Sequence, residues 1–278
     1  MTAAADEMGQ PRGFYEADSL HSETYDALGA TLRAGADAGD DVAFYRALAA
    51  ETGGPILDVG CGTGRVAFAL ASDGHEVVGV DVSSPMLRLA AEHRAALPAD
   101  VAARLSFRHA DMMTLDLGRD FALIVAPSRV FQFALSTDAQ RQVLAVFRSH
   151  LRPEGRLILD LFDPRLDLVV PSEDDPPRGG EVVHPRTGNR VRWEVARRMP
   201  DPARQLIVED WTFTEIDPAG EAVRTDTERL TLRWSLRSEM RLLFELASLE
   251  VVDEFGDFSG GSPAYGREQV WVLRGADG

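Results

Sequence analysis

The run "PILDVGCGTGR", Pro55 to Arg65, holds the residues whose types and spacing point most directly to chemistry. Mostly apolar residues lead to Asp58, and Gly60, Gly62 and Gly64 then alternate with Cys61 and Thr63. Glycines let a main chain turn tightly and approach a ligand closely. The helix expected next would offer free N–H groups and positive partial charge at its start. Strand, acid, glycine-rich turn and helix together read as a seat for a nucleotide-like ligand. A pyrophosphate asks for G-x-G-x-x-G at such a turn. Here Arg65 stands where the third glycine belongs, and Asp58 would lie beside the phosphates with no phosphate-loop lysine to compensate. This spacing disfavours an NAD-dependent oxidoreductase, and a ligand bearing an ammonium group resolves the conflict. Asp81 and Asp111 recur at the ends of the next two strand-like runs. One such aspartate is usually a cap or a turn former; three at successive strand ends read as a ligand site.

These residues carry a family resemblance. "LDVGCGTGR", "VVGVDVSSPML" and "FRHADM" resemble, in order, the first three motifs of the class I S-adenosylmethionine-dependent methyltransferases, over roughly 40–165. The tail "SEMRLLFELASLEVVDEFGDFSG" is similar to the end of many small-molecule members. The resemblance implies S-adenosylmethionine as methyl donor, S-adenosylhomocysteine as product, and methyl transfer to N or O of a small-molecule acceptor. It implies that Asp81 accepts both ribose hydroxyls, that Asp111 accepts from the adenine amino group, and that the Met112 amide reaches a ring nitrogen. Val82, Met86 and Met112 would sandwich the base, and Asp58 would orient the glycine loop and the methionyl ammonium. Gly60, Cys61, Gly62, Gly64 and Ala126 complete the implied cofactor set, with Cys61 filling a slot for a small residue.

Methyl transfer from a sulfonium mainly needs alignment and exclusion of water, so the catalytic residues are harder to read. Arg129 and Gln132 in "PSRVFQF", and Tyr15, His21 and Tyr25 in "FYEADSLHSETYD", are the candidates. Relatives that N-methylate amino sugars carry a catalytic histidine where Gln132 stands, and an amide takes no proton at neutral pH. Two other readings stay open: an enzyme of this fold with non-methylating chemistry, and a non-catalytic binder of the same cofactor.

The elements that must position these residues follow from hydrophobic period. Helical spacing from Asp18 to about Ala50 predicts an N-terminal helical lid over 1–50. Strands at 55–59, 75–81, 104–111, 121–127 and 156–162 alternate with helices, one starting at Ser84 as N-cap with Pro85 at its first position. Thr137 and Gln140 fit a capping box, and "RPEG" reads as a turn before the fifth strand. The expected class is α/β, with a Rossmann-like seven-stranded, mostly parallel sheet between helices. The domains follow as a binding core over 51–165, an antiparallel β insertion over 166–235, and a C-terminal helix with the last two core strands over 236–278. Within the insertion, "VVPSEDDPPRGG" is an acidic connector, and extended segments lie at roughly 190–198, 204–216 and 221–235. Trp193, Trp211, Phe213 and Trp234 interleave there with Arg190, Arg192, Arg197, Arg224 and Arg233. The insertion is expected to roof an acceptor pocket or to form a homodimer interface. Arginines facing inward would favour an acceptor with a carboxylate or phosphate.

Composition bounds the partners. A net charge of −16 over 278 residues repels nucleic acid overall. All basic residues are arginine, so Schiff-base chemistry has no lysine to use. No apolar run spans a bilayer, the first residues lack the pattern of a signal peptide, and the single cysteine admits no internal disulfide. The cytoplasm is therefore expected. His75, His93, His109, His150 and His184 show no metal-ligand spacing, so no metal is expected, and "SEDDPP" reads as a solvated loop.

Overall fold

The buried apolar runs fold as parallel strands because helices can cover both of their faces. A computed structural model describes residues 12–15, 17–34, 40–165 and 178–276. In it β2 (Ile56–Val59), β3 (Val77–Asp81), β4 (Leu105–His109), β5 (Phe121–Ala126), β6 (Leu151–Phe162), β11 (Leu249–Phe255) and β12 (Glu268–Gly275) form one sheet. The order is β11-β12-β6-β5-β2-β3-β4, with β12 antiparallel to both of its neighbours. Every residue of β5 is buried. Leu123 and Val125 pack with Tyr45 and Leu70 on one face, whereas Ile124 and Ala126 pack with Leu144, Phe147 and Phe244 on the other. The chain proceeds from β2 outward to β4 and then crosses back to β5 on the far side of β2. Loops after β2 and β5 therefore diverge, and this switch point is where a crevice opens.

Helices α2 (Asp41–Thr52), α3 (Arg65–Ser72), α4 (Ser84–Ala95), the short α5 (Ala99–Ala102), α6 (Thr137–Ser149) and α7 (Arg237–Leu246) accompany this sheet. Two caps differ from the sequence reading. Ser83, not Ser84, caps α4 by accepting the Met86 amide, and Ser136 caps α6 by accepting the Ala139 amide. Gln140 is drawn away from a capping box because its amide donates to the Ser235 hydroxyl at 3.1 Å. "RPEG" lies within β6 as a bulge: Phe121 pairs with Leu151, and Leu123 next pairs with Arg156.

A second, five-stranded sheet has the order β1-β10-β9-β8-β7, built from β1 (Arg12–Gly13), β7 (Gly179–Val183), β8 (Arg190–Asp201), β9 (Leu206–Ile216) and β10 (Ala222–Arg233). The three long strands pair antiparallel through the turns legible in sequence. β1 and β7 are too short to show a period. Residues 166–177, most of the acidic connector, lie outside the described residues. The N-terminal helices divide between the sheets. α1 (Leu20–Ala34) sets Leu20 and Leu28 against Trp193, Trp211 and Phe213 of the second sheet, whereas α2 sets Tyr45 and Ala49 into the core. No helix among the described residues is long and apolar enough to cross a membrane.

Arg233, buried at the end of β10, ties the second sheet to helices α6 and α7. Its Nη2 donates to Gln205 Oε1 at 2.6 Å, Glu239 Oε1 at 2.8 Å and Thr137 Oγ1 at 3.2 Å, and its Nη1 donates to Gln140. Removing one member of a buried charged network leaves the others unpaired. Arg233→Ala is expected to lower unfolding stability by about 3 kcal/mol, measured by urea titration. An unchanged midpoint would show that the clamp contributes nothing.

Candidate active site

Three glycines in left-handed conformation shape the turn after β2: φ is +66° at Gly60, +54° at Gly62 and +95° at Gly64. A Cβ on Gly60 would lie 2.3 Å from Cγ2 of Val130, so the β2 turn and the segment after β5 meet there with no room for a side chain. Asp81, at the tip of β3, fixes the other wall. Its two oxygens accept the Gly62 amide at 2.8 Å and the Ser83 amide at 2.7 Å. A carboxylate has about four acceptor positions, so it retains capacity toward the cleft. Burial raises the Asp81 pKa, against the pull of those amides.

The resulting cleft encloses about 350 Å³. Of the residues assigned to the cofactor from sequence, Gly60, Gly62, Asp81, Val82, Met86, Asp111 and Met112 line it. Asp58, Cys61, Gly64 and Ala126 do not, and each has a local reason. Asp58 and Ala126 are wholly buried behind the wall. Gly64 turns toward Phe68 and serves the start of α3. Cys61 is buried, and burial pushes its thiol well above the ordinary cysteine range, so no nucleophile stands there. Pro127 and Ser128 take the place assigned to Ala126.

Asp58 is the electrostatic anomaly. Both carboxylate oxygens are buried and make no well-formed hydrogen bond to a described residue, and burial pushes its pKa up to about 7 despite the nearby Arg65 guanidinium and the pull of the Ala67 amide. Among the described residues two carboxylates line the cleft, and no lysine or arginine does. With the orphaned Asp58 behind them, these donors suit a cationic nucleoside and repel a pyrophosphate. Asp81 would hold ribose hydroxyls, Met86 and Met112 would flank the base with polarizable surface, and the glycine turn would receive the amino-acid end.

A larger cavity of about 560 Å³ adjoins the cleft, and both are lined by Phe14, Tyr15, Tyr25, Ser128 and Phe133. Tyr15, Ser128 and Arg129 all adopt positive φ at this junction, between +57° and +68°. Left-handed backbone at non-glycine residues costs roughly 1–3 kcal/mol and gathers where function holds it in place. Burial raises the Tyr15 phenol pKa well above the ordinary tyrosine value, which keeps it protonated.

His21 lines the larger cavity beside this junction. Its Nδ1 lies 2.9 Å from Glu228 Oε2, and His21 and Glu228 are 2% and 1% exposed. Glu228 also accepts the Ser19 hydroxyl and, at 3.4 Å, the Tyr15 amide. Phe213 stacks on the imidazole at 5.0 Å between ring centroids, and Phe14 lies 4.3 Å from it. A carboxylate at Nδ1 selects the tautomer with the proton there, leaving the Nε2 lone pair available. Nε2 makes no hydrogen bond to any described residue.

Tyr15, Tyr25 and Arg129 also reach the larger cavity, although the Arg129 guanidinium is engaged by Glu268 and lies over the Phe162 ring. Gln132 does not reach it. It is fully buried, donating to the Arg233 carbonyl and accepting the Phe162 amide, each at 3.1 Å. Both ends of its amide are consumed in tying the turn at Val130–Phe133 to the two sheets, and Phe133 occupies the cavity position instead. None of Arg190, Arg192, Arg197, Arg224 and Arg233 lines either cavity; Arg178 and Arg198 do. Among the described residues no group of three His, Cys, Asp or Glu is placed to hold a metal ion.

Comparison with known proteins agrees with this site. Residues 56–155 match a family described as a methyltransferase domain. The cypemycin N-terminal methyltransferase of a Streptomyces species is 29% identical over 92% of this chain and 96% of its own. The dTDP-3-amino-3,4,6-trideoxy-alpha-D-glucopyranose N,N-dimethyltransferase of Streptomyces venezuelae is 28% identical over 68% of this chain and 79% of its own. Among solved structures, the CcbJ methyltransferase from Streptomyces caelestis shares 27% identity with a TM-score of 0.67, covering 86% of this chain and 91% of that one. The chain is a class I, Rossmann-like methyltransferase. Its methyl donor is S-adenosylmethionine, which solved relatives of the same fold hold in their structures.

The Asp58 anomaly yields a test. Its folded pKa lies above the unfolded value, so its contribution to stability is fully present below about pH 4 and is lost as pH rises to about 7. Asp58→Asn has no such loss. The stability of the variant relative to the parent is expected to grow by roughly 3 kcal/mol between pH 4.5 and pH 8, read by urea unfolding at each pH. A difference independent of pH would mean that Asp58 is not a strained buried acid.

Proposed function

We propose that this enzyme methylates the nitrogen of a small amine held in the larger cavity, with His21 accepting the proton that the amine sheds. The observation that carries the reading is the junction: the cationic-nucleoside cleft opens into a second cavity, and the His21–Glu228 pair lies beside the opening. S-adenosylmethionine would supply, when bound, a methyl group on positive sulfur that an amine lone pair can take, the C–S bond breaking to leave S-adenosylhomocysteine. The remaining work belongs to side chains of this chain. Asp81 and the glycine turn fix the donor, while Tyr15, Tyr25 and Phe133 wall the opening against water. His21 Nε2 receives the proton, and Glu228 holds the imidazole in the required tautomer and steadies its charged form.

The names of two relatives, an N-terminal methyltransferase and an amino-sugar N,N-dimethyltransferase, support nitrogen as the target. Non-methylating chemistry drew its support from Gln132, which serves the fold and not the site. In this reading α1 and β1 form a lid over both cavities, the second sheet roofs the acceptor, and the enzyme works in the cytoplasm on a small molecule.

The test is to incubate the enzyme with methyl-labelled S-adenosylmethionine and a metabolite extract, then locate the label by mass spectrometry. Label on an amine nitrogen is expected, and label on carbon or oxygen only would overturn the reading. With that acceptor, His21→Asn should lower kcat about 100-fold or more while KM for the donor stays within about twofold. Glu228→Gln should lower kcat about tenfold or more by releasing the tautomer. Full turnover in His21→Asn would remove the histidine from the mechanism.

A further inference from the structure

The larger cavity contains positive charge that proton transfer does not use. Arg178, just before β7, and Arg198, on β8, line its wall beside Trp211, Ile207, Leu230 and Leu232. Between them Glu209 is buried. Arg178 Nη1 donates to its Oε1 at 2.8 Å, Arg198 Nε lies 3.3 Å from the same oxygen, and Trp211 Nε1 donates to its Oε2 at 3.0 Å. Two guanidinium groups thus share one carboxylate whose oxygens are already occupied. Arg198 Nε is buried without a well-formed hydrogen bond, and the Arg178 guanidinium lies 5.8 Å from the centre of the Trp211 ring.

Other carboxylates lining the cavity have partners of their own. Asp41 is held bidentately by Arg65, at 2.6 and 2.8 Å. Asp160 accepts the Tyr45 hydroxyl at 2.7 Å and the Arg129 amide at 3.0 Å, and Glu268 is engaged by Arg129 through Oε1, its Oε2 being buried without a hydrogen bond to a described residue. Among the described residues the pair of arginines carries one charge more than Glu209 neutralises and keeps donors unused next to an aromatic face. A structural ion pair with Glu209 needs only one of them. A guanidinium presents its donors as a planar fork that matches an anionic oxygen group.

We infer that Arg178 and Arg198 form an anion subsite, so that the acceptor carries a carboxylate or phosphate at the end remote from the methylated nitrogen. This rests on the reading that the larger cavity receives the acceptor. The two guanidinium groups receive the anionic oxygens, and Trp211 flanks the group that joins them to the rest of the molecule. The amine then lies toward His21. Glu209 neutralises part of the pair and holds both arginines at the wall.

The subsite can be tested without knowing the acceptor. Enzyme saturated with S-adenosylhomocysteine is titrated calorimetrically with phenyl phosphate, phenylacetate, benzyl alcohol and benzylamine. At least one anionic probe is expected to bind about tenfold or more tightly than benzyl alcohol, and the stronger of the two identifies phosphate or carboxylate as the natural group. That preference should shrink about threefold or more in Arg198→Gln and in Arg178→Gln and vanish in the double variant, with affinity for S-adenosylhomocysteine unchanged. Equal binding of all four probes by the parent protein overturns the subsite without reference to any variant, as does an anion preference that survives in the double variant. Neither result bears on methyl transfer, which is decided by the labelled-donor experiment.

Discussion

The carboxylate of Asp81 is the constraint on which the site is built. It accepts amides from two loops, Gly62 after β2 and Ser83 after β3, and so fixes the distance between neighbouring strand ends. The glycine turn can hold its left-handed course only while that anchor is present, and Gly60 can pass Val130 only because it has no side chain. From this one geometry come the walls of the cleft, its lack of cationic lining and its capacity for ribose hydroxyls. A carboxylate satisfied by backbone on one side and open to the cleft on the other fixes the loops and keeps acceptor capacity for a ligand.

The acceptor side depends on a different interaction, made by the N-terminal segment with the second sheet. β1 pairs in parallel with β10 at Glu228 and Arg229, Leu20 donates its amide to Asp226, and Glu228 gathers Ser19, Tyr15 and His21. The N-terminal segment is therefore fastened mainly to the second sheet, with lighter attachments to the core, such as the Ser83 hydroxyl donating to the Tyr15 carbonyl at 2.6 Å. Its aromatic side chains extend the stack of Trp193, Trp211 and Phe213 toward the junction. Rigid aromatic packing fixes the imidazole plane, and the buried carboxylate fixes its tautomer. Both constraints act before any acceptor enters.

What the sequence disclosed, and what it hid, divides along the range of the interactions. Strands with acidic ends, the glycine turn and the α/β alternation are local patterns, and Asp81, Met86 and Asp111 were legible because each stands a fixed step from a strand or helix boundary. His21 was visible as a candidate, but Glu228, which binds its Nδ1, lies more than two hundred residues away on β10. Gln132 was misread for the same reason, since the carbonyl of Arg233 and the amide of Phe162 that consume it are far along the chain. Among the arginines of the second sheet, alternation told which faces exist but not which face met the cavity. Arg178 and Arg198 were overlooked, one at the end of a Pro/Gly-rich connector and the other beyond the register shift between Val195 and Arg197 that reverses the alternation. Capping by Ser83 and Ser136, each one residue earlier than expected, reflects competition for Gln140 and the ordinary uncertainty of helix ends.

In the proposed mechanism a cationic nucleoside is seated on Asp81, in a cleft that opens onto a cavity holding a prepared proton acceptor. A crystal structure of the enzyme with S-adenosylhomocysteine tests this most directly. Ribose hydroxyls are expected on Asp81 and the thioether sulfur at the opening between Tyr15, Tyr25 and Phe133, on the side of His21. A nucleoside lodged in the larger cavity, or a sulfur turned away from that opening, would contradict it.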